Sequence, residues 1–144
     1  MADPEYYLFQ AQLAPNGRWI TFEAVRDRPN GRESTIYVVP STGGPWIRLT
    51  DGEQWDDKPR WSPDGKTIYF VSSRGGFANV WGRRFEALRG DVVGEPFQVT
   101  NFANPALMPP ILIPAVGLSV ANGRLAVTVS ETSGGIWVLD NVDH

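Results

Sequence analysis

The stretch Lys58–Phe70, KPRWSPDGKTIYF, sets the reading of the whole chain. Its centre, Ser62-Pro63-Asp64-Gly65, has the chemistry of a tight turn: proline presets φ at the second position, and glycine accepts a positive φ near the end. On either side lie short runs rich in β-branched and aromatic residues, the composition of strands. Laid along the rest of the sequence, the stretch aligns twice more. Gln10–Phe22 reads QAQLAPNGRWITF and Gly117–Val129 reads GLSVANGRLAVTV. STIYVVP (Ser34–Pro40) and GGPWIRLTDG (Gly43–Gly52) follow the first copy, and ANVWGRRF (Ala78–Phe85) and GEPFQVTNF (Gly94–Phe102) the second. The third is followed by GGIWVLD (Gly134–Asp140).

The turn glycines Gly17, Gly65 and Gly123 stand 48 and 58 residues apart, and Thr50 and Thr100 stand 50 apart. Such spacing suits a four-stranded unit with variable loops, because helical repeats are shorter and carry a helical period. The strand runs WITF, TIYF, TIYVV and GIWVL are apolar on both faces, so both faces must be covered. Blades of a propeller meet that demand by packing each small sheet between its neighbours. The expected fold is all-β: three four-stranded antiparallel blades of a β-propeller. Blade 1 covers about residues 8–52, blade 2 about 55–102, a proline-rich connector 103–116, and blade 3 about 117–140.

SPDGKTIYFVSSRGGFANVW (Ser62–Trp81), with IYVVPSTGG (Ile36–Gly44) and RLTDG (Arg48–Gly52) in the preceding unit, resembles the TolB-type, WD-like propeller repeat. The likeness runs over about residues 8–140 and is greatest in the second unit. The first departs with Ala14 and Asn16 in place of Ser and Asp, and the third keeps only the Asn-Gly turn and the Ile-Trp strand. The pattern also looks like the C-terminal blades of larger bacterial propeller proteins. The resemblance implies protein–protein contacts, or the non-catalytic domain attached to prolyl-oligopeptidase-type hydrolases. It is specific for fold and weak for function.

Propellers close with roughly four to eight blades. Three blades alone would leave two blade faces in water as large apolar patches. Either the chain belongs to a longer propeller, or two chains pair to complete one six-bladed ring as a homodimer, which closes every edge. The second arrangement is the favoured expectation.

Composition removes several function classes. The chain of 144 residues has no Cys, and its only His is the last residue, His144. Thiolate metal sites, cysteine nucleophiles and a Ser-His-Asp triad are therefore not expected. A net charge of −3 gives no basic surface for nucleic acid. The most apolar stretch, Ala106–Val120, is broken by Pro109, Pro110 and Pro114 and falls short of the ~20 residues of a spanning helix. The N-terminal residues MADPEYYLFQ have neither the basic nor the apolar region of a secretory signal, and the compartment stays open. There is no nucleophile elbow, Walker loop or zinc-protease signature. Neither an enzyme nor a cofactor is expected.

Binding residues are sought on the inner strands, whose polar alternates would line a central channel. Those are Gln10 and Gln12 in the first unit and Lys58 and Arg60 in the second, with Asp56 and Asp57 at the mouth. Together they would hold a peptide or small anion; alternatively they pair with one another. Asp51, Glu53, Asp56 and Asp57 carry hard-cation ligands but lack the spacing of a calcium loop, which favours a solvated loop and no metal. Arg26, Arg28 and Arg32, and Arg83, Arg84 and Arg89, stand beside Asp27, Glu33 and Glu86, so surface ion pairing is expected of them. Tyr37, Trp81 and Trp137 fall at equivalent repeat positions and are expected between blades. NPALMPPILIP (Asn104–Pro114) is expected to pack over a blade edge. The partner expected is a protein or peptide.

Overall fold

The computed structural model describes residues 5–111 and 117–135, and among these there is no helix. Four strands make the first sheet: β1 (Tyr7–Leu13), β2 (Trp19–Arg28), β3 (Gly31–Pro40) and β4 (Ile47–Arg48). Four more make the second: β5 (Asp56–Trp61), β6 (Thr67–Ser72), β7 (Asn79–Glu86) and β8 (Asp91–Gln98). In both, chain neighbours are sheet neighbours and every pair is antiparallel, the up-and-down order of a blade.

The shared turn recurs in its backbone. Gly17 and Gly65 take φ of 70° and 68°, and their amides donate to the carbonyls of Ala14 and Ser62, both at 2.9 Å. The Ser62 hydroxyl accepts from the Thr67 amide (2.9 Å) and lies 2.6 Å from Asp64 Oδ1, which also accepts from the Lys66 amide (3.0 Å). These hydrogen bonds, the Ser62 one foremost, hold the Asp64 carboxyl below its ordinary range. In blade 1, Asn16 accepts from the Arg18 amide (2.9 Å) instead. The paired threonines also match: Thr50 Oγ1 accepts from the Ile36 amide (3.0 Å), and Thr100 Oγ1 from the Val80 amide (2.8 Å).

Alternation along β3 divides blade 1 into two faces. Ile36 and Val38, with Ala14 and Leu49, meet Trp61, Ile68, Phe70 and Phe85 of blade 2 in a continuous core that Trp81 joins from its rim. Tyr37 and Val39 point the other way, with Phe22, Ala24 and the rings of Tyr6 and Trp46. Thus Trp81 packs between the two blades, whereas Tyr37 lies on the face of blade 1 turned from blade 2; Trp137 lies outside the described residues. Trp19 stands edge-on to Phe85 (5.1 Å) and donates from Nε1 to the Ala87 carbonyl (3.0 Å), pinning the blades together at their outer end.

The third unit is shorter than a blade among the described residues. β9 (Leu107–Met108), β10 (Leu118–Ala121), β11 (Arg124–Val127) and β12 (Ser130–Glu131) make two small sheets. β10 and β11 form a hairpin across Asn122-Gly123, both at positive φ as a two-residue turn requires. β12 pairs with β9, so the proline-rich connector contributes a strand rather than only covering an edge. A four-stranded third blade is not present among the described residues, and Ile136–Leu139 lie outside them.

Candidate functional site

The inner strands of both blades carry a bulge at the same repeat position. Phe9 faces Glu23 and Gln12 faces Thr21, so Gln10 and Ala11 together stand against one residue of β2. In blade 2, Lys58 and Pro59 do the same between the Asp57–Val71 and Arg60–Tyr69 pairs. Gln10 and Lys58 adopt φ of 53° and 58°, a left-handed backbone uncommon for residues other than glycine. A bulge shifts the alternation by one residue, which separates side chains that a regular strand would place together.

That shift corrects the expected channel set. Lys58, 2% exposed, turns inward and pairs with Asp57. Asp56 and Asp57, 0% and 4% exposed, are not at a channel mouth. Burial pushes the Asp56 carboxyl up, and hydrogen bonding to Ser72 and the charge of Arg74 pull it back. Arg74 Nη2 lies 3.1 Å from both Asp56 oxygens, with its guanidinium over the rings of Phe70 (5.4 Å) and Trp81 (5.5 Å). The acidic run therefore does not gather around a cation: Asp56 and Asp57 each meet a basic side chain. Among the described residues no three acidic or imidazole groups converge on a metal position.

Gln10, Gln12 and Arg60 join the units. Arg60 Nη2 donates to Gln10 Oε1 of blade 1 (3.0 Å) and Nε to the Leu118 carbonyl of the third unit (2.7 Å). Burial lowers this guanidinium's pKa, opposed by the charge of Asp57. The Trp61 amide donates to Gln12 Oε1 and its indole to the Gln12 carbonyl, both at 3.3 Å.

Beside these contacts a cavity of about 310 Å³ opens between blades 1 and 2. Phe9, Gln10, Glu23 and Val25 line it from blade 1, with Arg32 from the start of β3, and Trp55 and Asp57 close it from blade 2. Glu23 is 5% exposed, and its pKa is pushed from an ordinary 4.5 up to about 8. Burial is the main cause and the neighbouring Asp57 carboxylate the next, against smaller opposing effects of Ser34 and Lys58. Burial beside a second acid thus favours the protonated, uncharged form of Glu23. Ser34 Oγ donates to the Asp56 carbonyl (2.5 Å) and lies 3.0 Å from Glu23 Oε1. Trp55 Nε1 is buried and donates no hydrogen bond, while Asp57 Oδ1, which accepts from no N–H or hydroxyl among the described residues, stands beside the Glu23 carboxyl that hydrogen-bonds to Asp57. The cavity thus combines an apolar wall, a hydrogen-bonded pair of carboxyl groups and an unused indole N–H.

Sequence reasoning found Gln10 and Asp57 but missed Glu23, Trp55 and Phe9. The available signal was Glu23 itself, one acid inside the apolar run WITFEAV (Trp19–Val25). The arginines pair at the surface: Arg26, Arg28 and Arg48 surround Glu33 at 2.9, 2.8 and 3.2 Å, and Arg32 meets Asp27 at 2.8 Å. Arg83 instead donates to the Leu49 carbonyl (2.6 Å), another link between blades.

No family model matches the chain. An uncharacterized protein of Agrobacterium fabrum is 40% identical over 68 residues, which are 47% of this chain and 22% of that protein. The uncharacterized peptidase YuxL of Bacillus subtilis is 32% identical over 80 residues, 54% of this chain and 11% of the peptidase. The chain therefore spans less than a quarter of these two curated relatives. A solved structure assigned to TolB from Agrobacterium tumefaciens superposes with a TM-score of 0.58 at 24% identity, covering 94% of this chain and 49% of that one. The repeat, the antiparallel four-stranded sheets and this superposition together show that the chain has the TolB-like propeller fold.

Proposed function

We propose that the chain is a non-catalytic β-propeller module that binds a protein or peptide in the cleft between blades 1 and 2. The observation that carries this reading is the cavity there, apolar on one side and holding a buried carboxyl pair and an unused indole N–H, the usual make-up of a recognition pocket. Selection of a displayed peptide library against the chain, repeated with Trp55→Ala, tests it. Peptides that bind the native chain and lose at least tenfold with the variant support the cleft; equal binding by both moves the site elsewhere.

The same proposal includes a second copy that completes the ring. Two facts support it: the chain covers about half of the TolB-like structure, and the outer face of blade 1 presents apolar side chains, Leu13 being 59% exposed. Light scattering on a sizing column checks it. A mass near twice 15.9 kDa supports the two-chain ring. A monomer at tens of micromolar rules that ring out and leaves a longer propeller as the setting.

Similarity to a peptidase favours one further reading, a substrate-gating propeller of a prolyl-oligopeptidase-like hydrolase whose catalytic domain is a separate unit. An α/β-hydrolase domain in the same reading frame would decide for it.

A further inference from the structure

The cavity between blades 1 and 2 presents a guest with a pair of carboxyl groups and one unused donor, the Trp55 indole N–H. Glu23 and Asp57 bring two carboxyl groups to its wall. The Asp57 side chain is 6% exposed, and its carboxyl is hydrogen-bonded with that of Glu23, its Oδ1 taking nothing from any N–H or hydroxyl among the described residues. Lys58 neutralises Oδ2 from behind and does not line the cavity. Arg32, the one cation on the wall, is 64% exposed and held by Asp27. Phe9 and Trp55 supply the apolar sides, and a ring face next to a carboxyl suits a cation with a hydrocarbon stem.

Building on the peptide-binding reading above, we infer that this cavity receives the basic side chain of a lysine or arginine on the partner, its stem between Phe9 and Trp55 and its cationic head against Glu23 and Asp57. Charge balance favours such a guest. In the empty site protonated Glu23 carries no charge, and the Asp57 carboxylate and the Lys58 ammonium sum to zero. When a cation enters, Glu23 releases its proton to solvent and becomes a carboxylate, so the site stays neutral and no charge is buried unpaired. The charged groups facing Glu23 are Asp57 and Lys58 of β5 and Arg32 of β3; Arg60 acts on Asp57 from the same strand, and β1 contributes only uncharged Phe9 and Gln10.

Proton and guest compete, so affinity rises with pH. The rise is about tenfold per unit well below the Glu23 midpoint of about 8, and flat above it. A lysine head keeps its charge over this range. Calorimetry with the full chain and two blocked peptides, acetyl-Gly-Gly-Lys-Gly-Gly-amide and its norleucine counterpart, tests the assignment. The lysine peptide is expected to bind at least tenfold tighter at pH 9, to weaken several tens of fold by pH 6, and to release close to one proton there. Glu23→Gln is expected to abolish both the preference and the pH dependence. Equal binding of the two peptides, or lysine binding independent of pH, overturns the cation assignment and leaves peptide binding standing. Binding of neither peptide at millimolar concentration overturns both.

Discussion

Glu23→Gln is expected to make the protein more stable at pH 8 and to leave it nearly unchanged at pH 5. In the unfolded chain Glu23 ionises near 4.5, whereas in the folded protein it holds its proton to about 8. Between these values the folded state binds one more proton than the unfolded state, so stability falls as pH rises. The slope from one such group is about 1 to 2 kcal/mol per pH unit, and the loss accumulated by pH 8 is a few kcal/mol. Glutamine fits the same volume, does not titrate, and can keep a hydrogen bond to Asp57. Urea unfolding followed by tryptophan fluorescence at pH 5, 6.5 and 8 measures the difference. Asp56, also pushed up by burial, contributes with the same sign and cancels between the two proteins. Parallel stability–pH curves for native and variant chains would refute the claim that Glu23 is buried as a neutral acid.

Three further substitutions probe how the units are held. Arg60→Ala removes contacts to Gln10 and Leu118 and is expected to cost about 1–3 kcal/mol, with amide exchange accelerating in β10 and β11 before blades 1 and 2. Gly90→Ala places a side chain at φ 75° and 2.6 Å from the Trp19 ring; the backbone strain alone costs about 1–2 kcal/mol, and a lower melting temperature with altered Trp19 packing in near-UV dichroism is the readout. Phe70→Ala empties a fully buried position at the blade interface that also carries the Arg74 guanidinium, and a loss of about 3–5 kcal/mol in denaturant unfolding is expected.

The turns were legible because their chemistry is local. Ser62-Pro63-Asp64-Gly65 and Asn16-Gly17 name their own φ values, and the strands on either side follow from their β-branched and aromatic content. Blade faces were half legible: equivalence of Tyr37 and Trp81 predicts both between blades, and among the described residues Trp81 packs there whereas Tyr37 lies on the face of blade 1 turned from blade 2. The site was obscured by the bulges. Nothing in Gln10 or Lys58 announces a positive φ, and once alternation slips by one residue, Lys58 goes inward. The cavity escaped for a different reason: its walls come from β1, β2, the start of β3, the segment before β5 and β5 itself, and their convergence depends on how two blades stack.

The matching bulges have a consequence for how such repeats diverge. One kink is occupied by an amide in blade 1 and by an ammonium in blade 2, while the hydrogen-bond register around it is the same. The backbone there is a fixture of the repeat, and the side chain it carries is interchangeable. Duplicated units can therefore drift apart chemically at this point without renegotiating the architecture.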